Sequence, residues 1–292
     1  MTSRGLAQLS ALALAALTYW TIVSRPGVIG DEFPIAIYFT ILVFTLFVFG
    51  VSFLALHLAA GGSATYWSME NRDQLRSIGW MIVTISAVML VGHAILDRLD
   101  RAAPLVLRAN FFVAMTLVPA AFIVSGRVRW PSRSARPGRF ALLLLCLVGL
   151  GAAAAWSWMA WSSAPGEPAI PSPGRLLFVV PVVILAATLE EIVFRVLLQT
   201  ALLERTGSRF LAVFLSSVAF GLMHVPGQFA EPVMHADWTL LQLVAHDYAP
   251  GFLLQIAFGL LLGVLWLRTG SLVLISGVHA LLNMGGVLAT GL

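Results

Sequence analysis

Apolar runs that approach the length of a membrane crossing recur along the chain at residues 6–23, 34–60, 77–96, 109–126, 140–161, 176–203, 210–224, 251–267 and 271–290. A helix needs ~20 such residues to cover ~30 Å of hydrocarbon, and the run at 210–224 falls furthest short of that. The pattern predicts an all-α polytopic membrane bundle of about nine transmembrane helices. The first run lies between Arg4 and Arg25 with no clear small-x-small cleavage site after it, so it reads as an uncleaved helix. Two polar intervals stand out. Residues 162–174 carry Pro165, Pro168, Pro171 and Pro173, the makings of a stiff extended connector. Residues 225–250 form the longest polar interval, and 238–246 within it are apolar enough to lie along the interface as a short helix.

Composition agrees with the pattern. The chain is 60% hydrophobic and 10% charged, against about 25% charged in soluble domains. All 17 basic residues are arginine, set against 13 acids. In so apolar a chain that positive charge encodes orientation, not a nucleic-acid surface. Placing the N-terminus inside puts eleven arginines on the inner segments and five outside, with the weight at Arg127, Arg129, Arg133, Arg136 and Arg139. The positive-inside rule then gives N-in, C-out. Arginine without lysine fits a GC-rich bacterial genome, hence an integral protein of the bacterial inner membrane. The lone Cys146 excludes a disulfide framework, Trp130, Trp156, Trp158 and Trp161 suit interfacial anchoring, and Gly259 and Gly263 suit close helix approach.

Charge inside these runs is the exception that calls for chemistry. Glu190, Glu191 and Arg195 sit near the middle of the run at 176–203. A charge at that depth costs about 2.5–3.5 kcal/mol on insertion scales, so it needs a partner or water. Glu191 and Arg195, four apart, share a helix face and can pair. Glu190 is rotated by roughly 100° and is left pointing elsewhere. His224 ends the run at 210–224, and His279 and Asn283 share one face of the last run. At 1.5 Å per residue, Glu190, His224 and His279 lie about 20, 21 and 12 Å from the inner surface, a common middle layer. His57 and His93 lack acidic partners at matching depth and read as structural. His235 and His246 fall in the outer polar interval, where His224 and Pro226 point to a wet vestibule.

Hydrolysis is one reaction that uses such a set. A carboxylate shielded from bulk water can take a proton from water and return it to a leaving amine. An Asn amide can donate to a developing oxyanion, worth about 3–4 kcal/mol in known cases. Two histidines and a carboxylate with an open position also make a catalytic zinc set. Two readings therefore stand: a divalent metal held by Glu190, His224 and His279, or water activated by glutamate with no cofactor.

Glu190-Glu191-x-x-x-Arg195, Phe220-x-x-x-His224 and His279-x-x-x-Asn283, in this order, resemble the CAAX prenyl protease and bacteriocin-processing (CPBP, or ABI) family of intramembrane proteases. The stretch from Gly259 and Gly263 through Arg268, Gly270 and Leu272 is similar to that family's last motif region. The likeness covers residues 176–283. It implies a membrane-embedded endopeptidase in which Glu190 and His224 activate water, His279 and Asn283 complete the site, and Arg195 orients Glu191. It leaves the mechanism open, since the family is described both as metal-dependent and as glutamate-type. The family often has Gly after the motif arginine, whereas Val196 stands here.

The expected organisation is a five-span scaffold at residues 1–175 and a catalytic core at 176–292, acting on a membrane-associated peptide or protein. A non-enzymatic carrier or immunity-type protein, using the Glu/His cluster as a proton or ion relay, is the alternative.

Overall fold

The computed structural model describes Gly5, Leu9 and residues 66–69, 74–99, 104–134, 138–162, 172–225 and 238–290. Apart from Leu9, the first two expected spans lie outside these residues. The other seven each coincide with a helix: α1 (Gln74–Arg98), α2 (Pro104–Val124), α3 (Arg139–Ser162), α4 (Pro173–Glu191) with its continuations, α6 (Arg209–Met223), α7 (Trp238–Thr269) and α8 (Leu272–Thr290). The continuations of α4 are a π-helical segment, Ile192–Gln199, and α5, Thr200–Thr206. Gln74–Leu96, Leu142–Ser162, Pro173–Thr206 and Leu272–Ala289 are long and apolar enough to cross a membrane, while α2, α6 and α7 supply shorter apolar stretches.

Three features depart from expectation. Trp67–Ser68 (β1) and Ser132–Arg133 (β2) pair antiparallel, a small ladder in an otherwise helical protein. The short interfacial helix at 238–246 is the start of α7, which runs unbroken through Pro250 and Gly251. Pro250 removes one N–H without ending the helix, since neighbouring groups in membrane bundles re-satisfy the freed carbonyl. The third is the π segment, which no helix propensity foretells.

Alternate connections gather at one end. Glu204 at the end of α5 accepts from Ser68 Oγ at 3.0 Å and Met69 N at 2.6 Å. Trp67 Nε1 donates to the Gly270 carbonyl, in the α7–α8 turn, at 2.8 Å. With Trp67 opposite Arg133, the start of α1, the α2–α3 connection, the end of α5 and the α7–α8 turn share one end of the bundle. Gly270 (φ +53°) permits this: a Cβ there would meet Trp67 Nε1 at 2.8 Å.

The π segment is packed from both sides. Phe194 and Leu197 join Ile78, Met81, Ile85 and Met115 of α1 and α2 in one core. Val196, standing where Gly is usual, is buried in the other core with Leu145, Leu262 and Val278. Glycines let the flanking helices close in. A Cβ on Gly259 of α7 would lie 3.0 Å from the Ser217 backbone of α6, and one on Gly285 of α8 would overlap the Ser157 carbonyl of α3.

Candidate active site

Glu190 and Glu191 close α4 where the chain passes into the π segment, and both are buried. Glu191 is fully enclosed. Its Oε1 accepts from His279 Nδ1 at 2.8 Å, and its Oε2 lies 3.3 Å from Arg195 Nε, at ion-pair distance. The expected Glu191–Arg195 pair is therefore present, with His279 added to it.

Glu190 does not point elsewhere. Its Oε2 lies 3.5 Å from His279 Nε2, so the imidazole stands between two carboxylates. A 100° step along one helix misjudged this because α8 supplies a side chain broad enough to address both. Donation from Nδ1 to Glu191 fixes the imidazole's orientation and leaves Nε2 for Glu190. Glu190 Oε2 is buried without a hydrogen bond among the described residues.

Phe220 is the apolar centre. Its ring packs edge-on to His224 at 4.9 Å, His279 at 5.4 Å and Phe194 at 5.5 Å, centroid to centroid. The Arg195 guanidinium lies over the same ring at 5.1 Å, a cation–π contact. The Phe220 carbonyl accepts from His224 Nδ1 at 2.9 Å, a bond that does not use that residue's Nε2. His224 caps α6 and is half-buried. Asn283 stands one turn beyond His279, half-buried, and makes no hydrogen bond to either carboxylate.

All six expected residues thus lie on α4, the π segment, α6 and α8. Arg195, Glu191, His279 and Glu190 are linked in that order, His224 joins through Phe220, and Asn283 follows on the His279 face. The reading of the sequence missed Gln199, which is fully buried, and Ser276, buried three residues before His279. Gln199 was findable, since it continues the four-residue spacing of Glu191 and Arg195. His93 bonds the Met89 carbonyl (2.8 Å) and Asn110 (3.1 Å), a local tie between α1 and α2. His57 and His235 lie outside the described residues, and at His246 only the helical backbone is described.

As arranged here, Glu190, His224 and His279 do not converge as a metal-holding set. No three His, Cys, Asp or Glu side chains among the described residues converge as a metal-holding group. His279 has turned both nitrogens to carboxylates, and His224 meets Phe220 instead of Glu190.

A buried carboxylate pair joined by an imidazole, set among membrane-length helices, is the arrangement of an intramembrane protein with ionisable groups in its interior. Residues 172–285 match the family model of Rce1-like proteins, described as type II CAAX prenyl endopeptidase. The matched stretch contains all six site residues and is similar to the CPBP family of CAAX-type intramembrane proteases. No curated protein and no solved structure matches the chain significantly.

Proposed function

We propose that the protein hydrolyses a peptide bond of a membrane-associated peptide or protein, with Glu190 as general base. The observation that carries this is the asymmetry of the two carboxylates: Glu191 takes the His279 hydrogen bond at 2.8 Å and the Arg195 ion pair at 3.3 Å, whereas Glu190 approaches only His279 Nε2, at 3.5 Å, among the described residues. Glu190 takes a proton from water, the new C–O bond forms at the scissile carbonyl, and the C–N bond breaks as that proton passes to the leaving amine. His224 Nε2 is available to hold the same water. Asn283 donates to the oxyanion, and Glu191 with Arg195 keeps His279 in place.

In this reading residues 1–175 are scaffold and 176–292 the catalytic core, in a bacterial inner membrane with the N-terminus inside. Comparing membrane peptide fragments between cells carrying the wild type and Glu190→Gln tests it. Fragments present only with the wild type would identify the substrate and its cleaved bond. Identical fragment sets would count against the assignment.

A further inference from the structure

Gln199 uses both ends of its carboxamide. Nε2 donates to the Gly263 carbonyl of α7 at 2.7 Å, and Oε1 accepts at 3.2 Å from the Ser216 hydroxyl of α6, which also approaches the Val213 carbonyl at 3.0 Å. Gly263 leaves the space for it, since a Cβ there would come within 2.8 Å of Gln199 Oε1. A buried carboxamide that joins three elements resists sliding, because displacement strands polar groups without partners.

The position of Gln199 in two facing columns gives that resistance a use. Glu191, Arg195 and Gln199 recur every four residues along one element, and Ser216, Phe220 and His224 do so along α6. The two elements form a hairpin about Gly207, whose φ of +62° suits glycine. Gln199 meets Ser216 at the first level, and the Arg195 guanidinium covers Phe220 at the second. One step further along each column stand Glu191 and His224. The segment that must hold this register is π-helical, a local geometry that α-helices adopt mostly as short interruptions. Thr200 Oγ1, donating to the Arg195 carbonyl at 3.2 Å, spans one of its wide turns.

We infer that Gln199 is a positioning residue: its bonds to Ser216 and Gly263 set the register of the Glu191–Arg195 column against the helix that carries His224. This rests on the hydrolytic reading above for its consequence, but not for its geometry.

Gln199→Met preserves bulk and removes both bonds, and Ser216→Ala removes one. Full-length purified variants in detergent are compared for Tm, for kcat and KM on a prenylated CAAX peptide, and for the imidazole 15N resonances of His279 and His224. Gln199→Met is expected to lower kcat by about 10- to 100-fold, as small misplacements of catalytic groups do. KM stays within about two-fold, since substrate binding is not what is lost. The His279 resonances shift as Glu191 moves against Nδ1. Ser216→Ala is expected to do the same to a smaller extent. A lower Tm with wild-type kcat and unshifted resonances would reduce Gln199 to packing and overturn the inference. If Gln199→Met does not fold, unshifted resonances and unchanged kcat in Ser216→Ala would overturn it equally. Should the wild type cleave no peptide, the resonances decide the positioning role alone, and only the hydrolytic reading falls.

Discussion

His279 donates its Nδ1 hydrogen to Glu191 across 2.8 Å, tying the last helix of the bundle to the carboxylate that closes α4. The bond settles which imidazole nitrogen faces Glu190, and it places Arg195 behind Glu191 as counter-charge. Glu191→Gln keeps the shape but lets the amide present either a donor or an acceptor to Nδ1. The expected outcome is a fall in kcat of about 10²- to 10⁴-fold, as when the orienting carboxylate of a catalytic histidine is neutralised. Steady-state kinetics on a prenylated CAAX peptide measures it, and unchanged kcat would show that Glu191 does not orient His279.

Arg195→Ala should destabilise as well as inactivate. The guanidinium is fully buried between Glu191 and the Phe220 ring. Removing one partner of a buried pair leaves the other charge uncompensated, which costs about 3–5 kcal/mol. Thermal unfolding in detergent reads this directly. A Tm equal to that of the wild type would mean that the pair contributes nothing to holding the π segment.

Two glycines of α8 give a control and a test on one helix. A methyl on Gly285 would overlap the Ser157 carbonyl of α3, whereas one on Gly277 meets nothing within 4 Å. Gly285→Ala is expected to cost about 1–3 kcal/mol by overpacking, and Gly277→Ala to leave the Tm near wild type. Equal Tm values for the two variants would contradict the α3–α8 contact.

Orientation is open to cysteine labelling in a Cys146→Ser background. Gly138 and Gly174 precede and follow the membrane-length α3, and a Cβ at either has open space. With the N-terminus inside, Gly174→Cys reacts with a membrane-impermeant thiol reagent in intact cells, and Gly138→Cys reacts only after permeabilisation. The reverse pattern would invert the topology.

The sequence displays the site's members more plainly than their mutual geometry. Glu190, Glu191 and Arg195 are conspicuous because charge in an apolar run is costly, and the four-residue spacing of Glu191 and Arg195 foretells their pairing. The common depth of the polar residues is likewise readable from helical rise. Contacts between helices are not: His279 reaching both carboxylates depends on how α8 packs against α4, through Ala187 and Ala280. The π segment escapes because α- and π-helical turns share the same apolar composition, and only tertiary bonds such as those of Gln199 distinguish them. The expected separation of a short helix at 238–246 from the run at 251–267 fails because the chain continues as one helix, α7, through both.

The central claim is that Glu190 activates water for peptide hydrolysis, and peptide cleavage by the purified protein tests it most directly. The full-length chain in detergent, with no transmembrane gradient, is incubated with a prenylated CAAX peptide and the products are mapped by mass spectrometry, alongside Glu190→Gln. The expected result is one internal peptide bond cut by the wild type and no cleavage by a Glu190→Gln protein with wild-type Tm. Cleavage that persists in Glu190→Gln, or activity that requires a gradient, would contradict it.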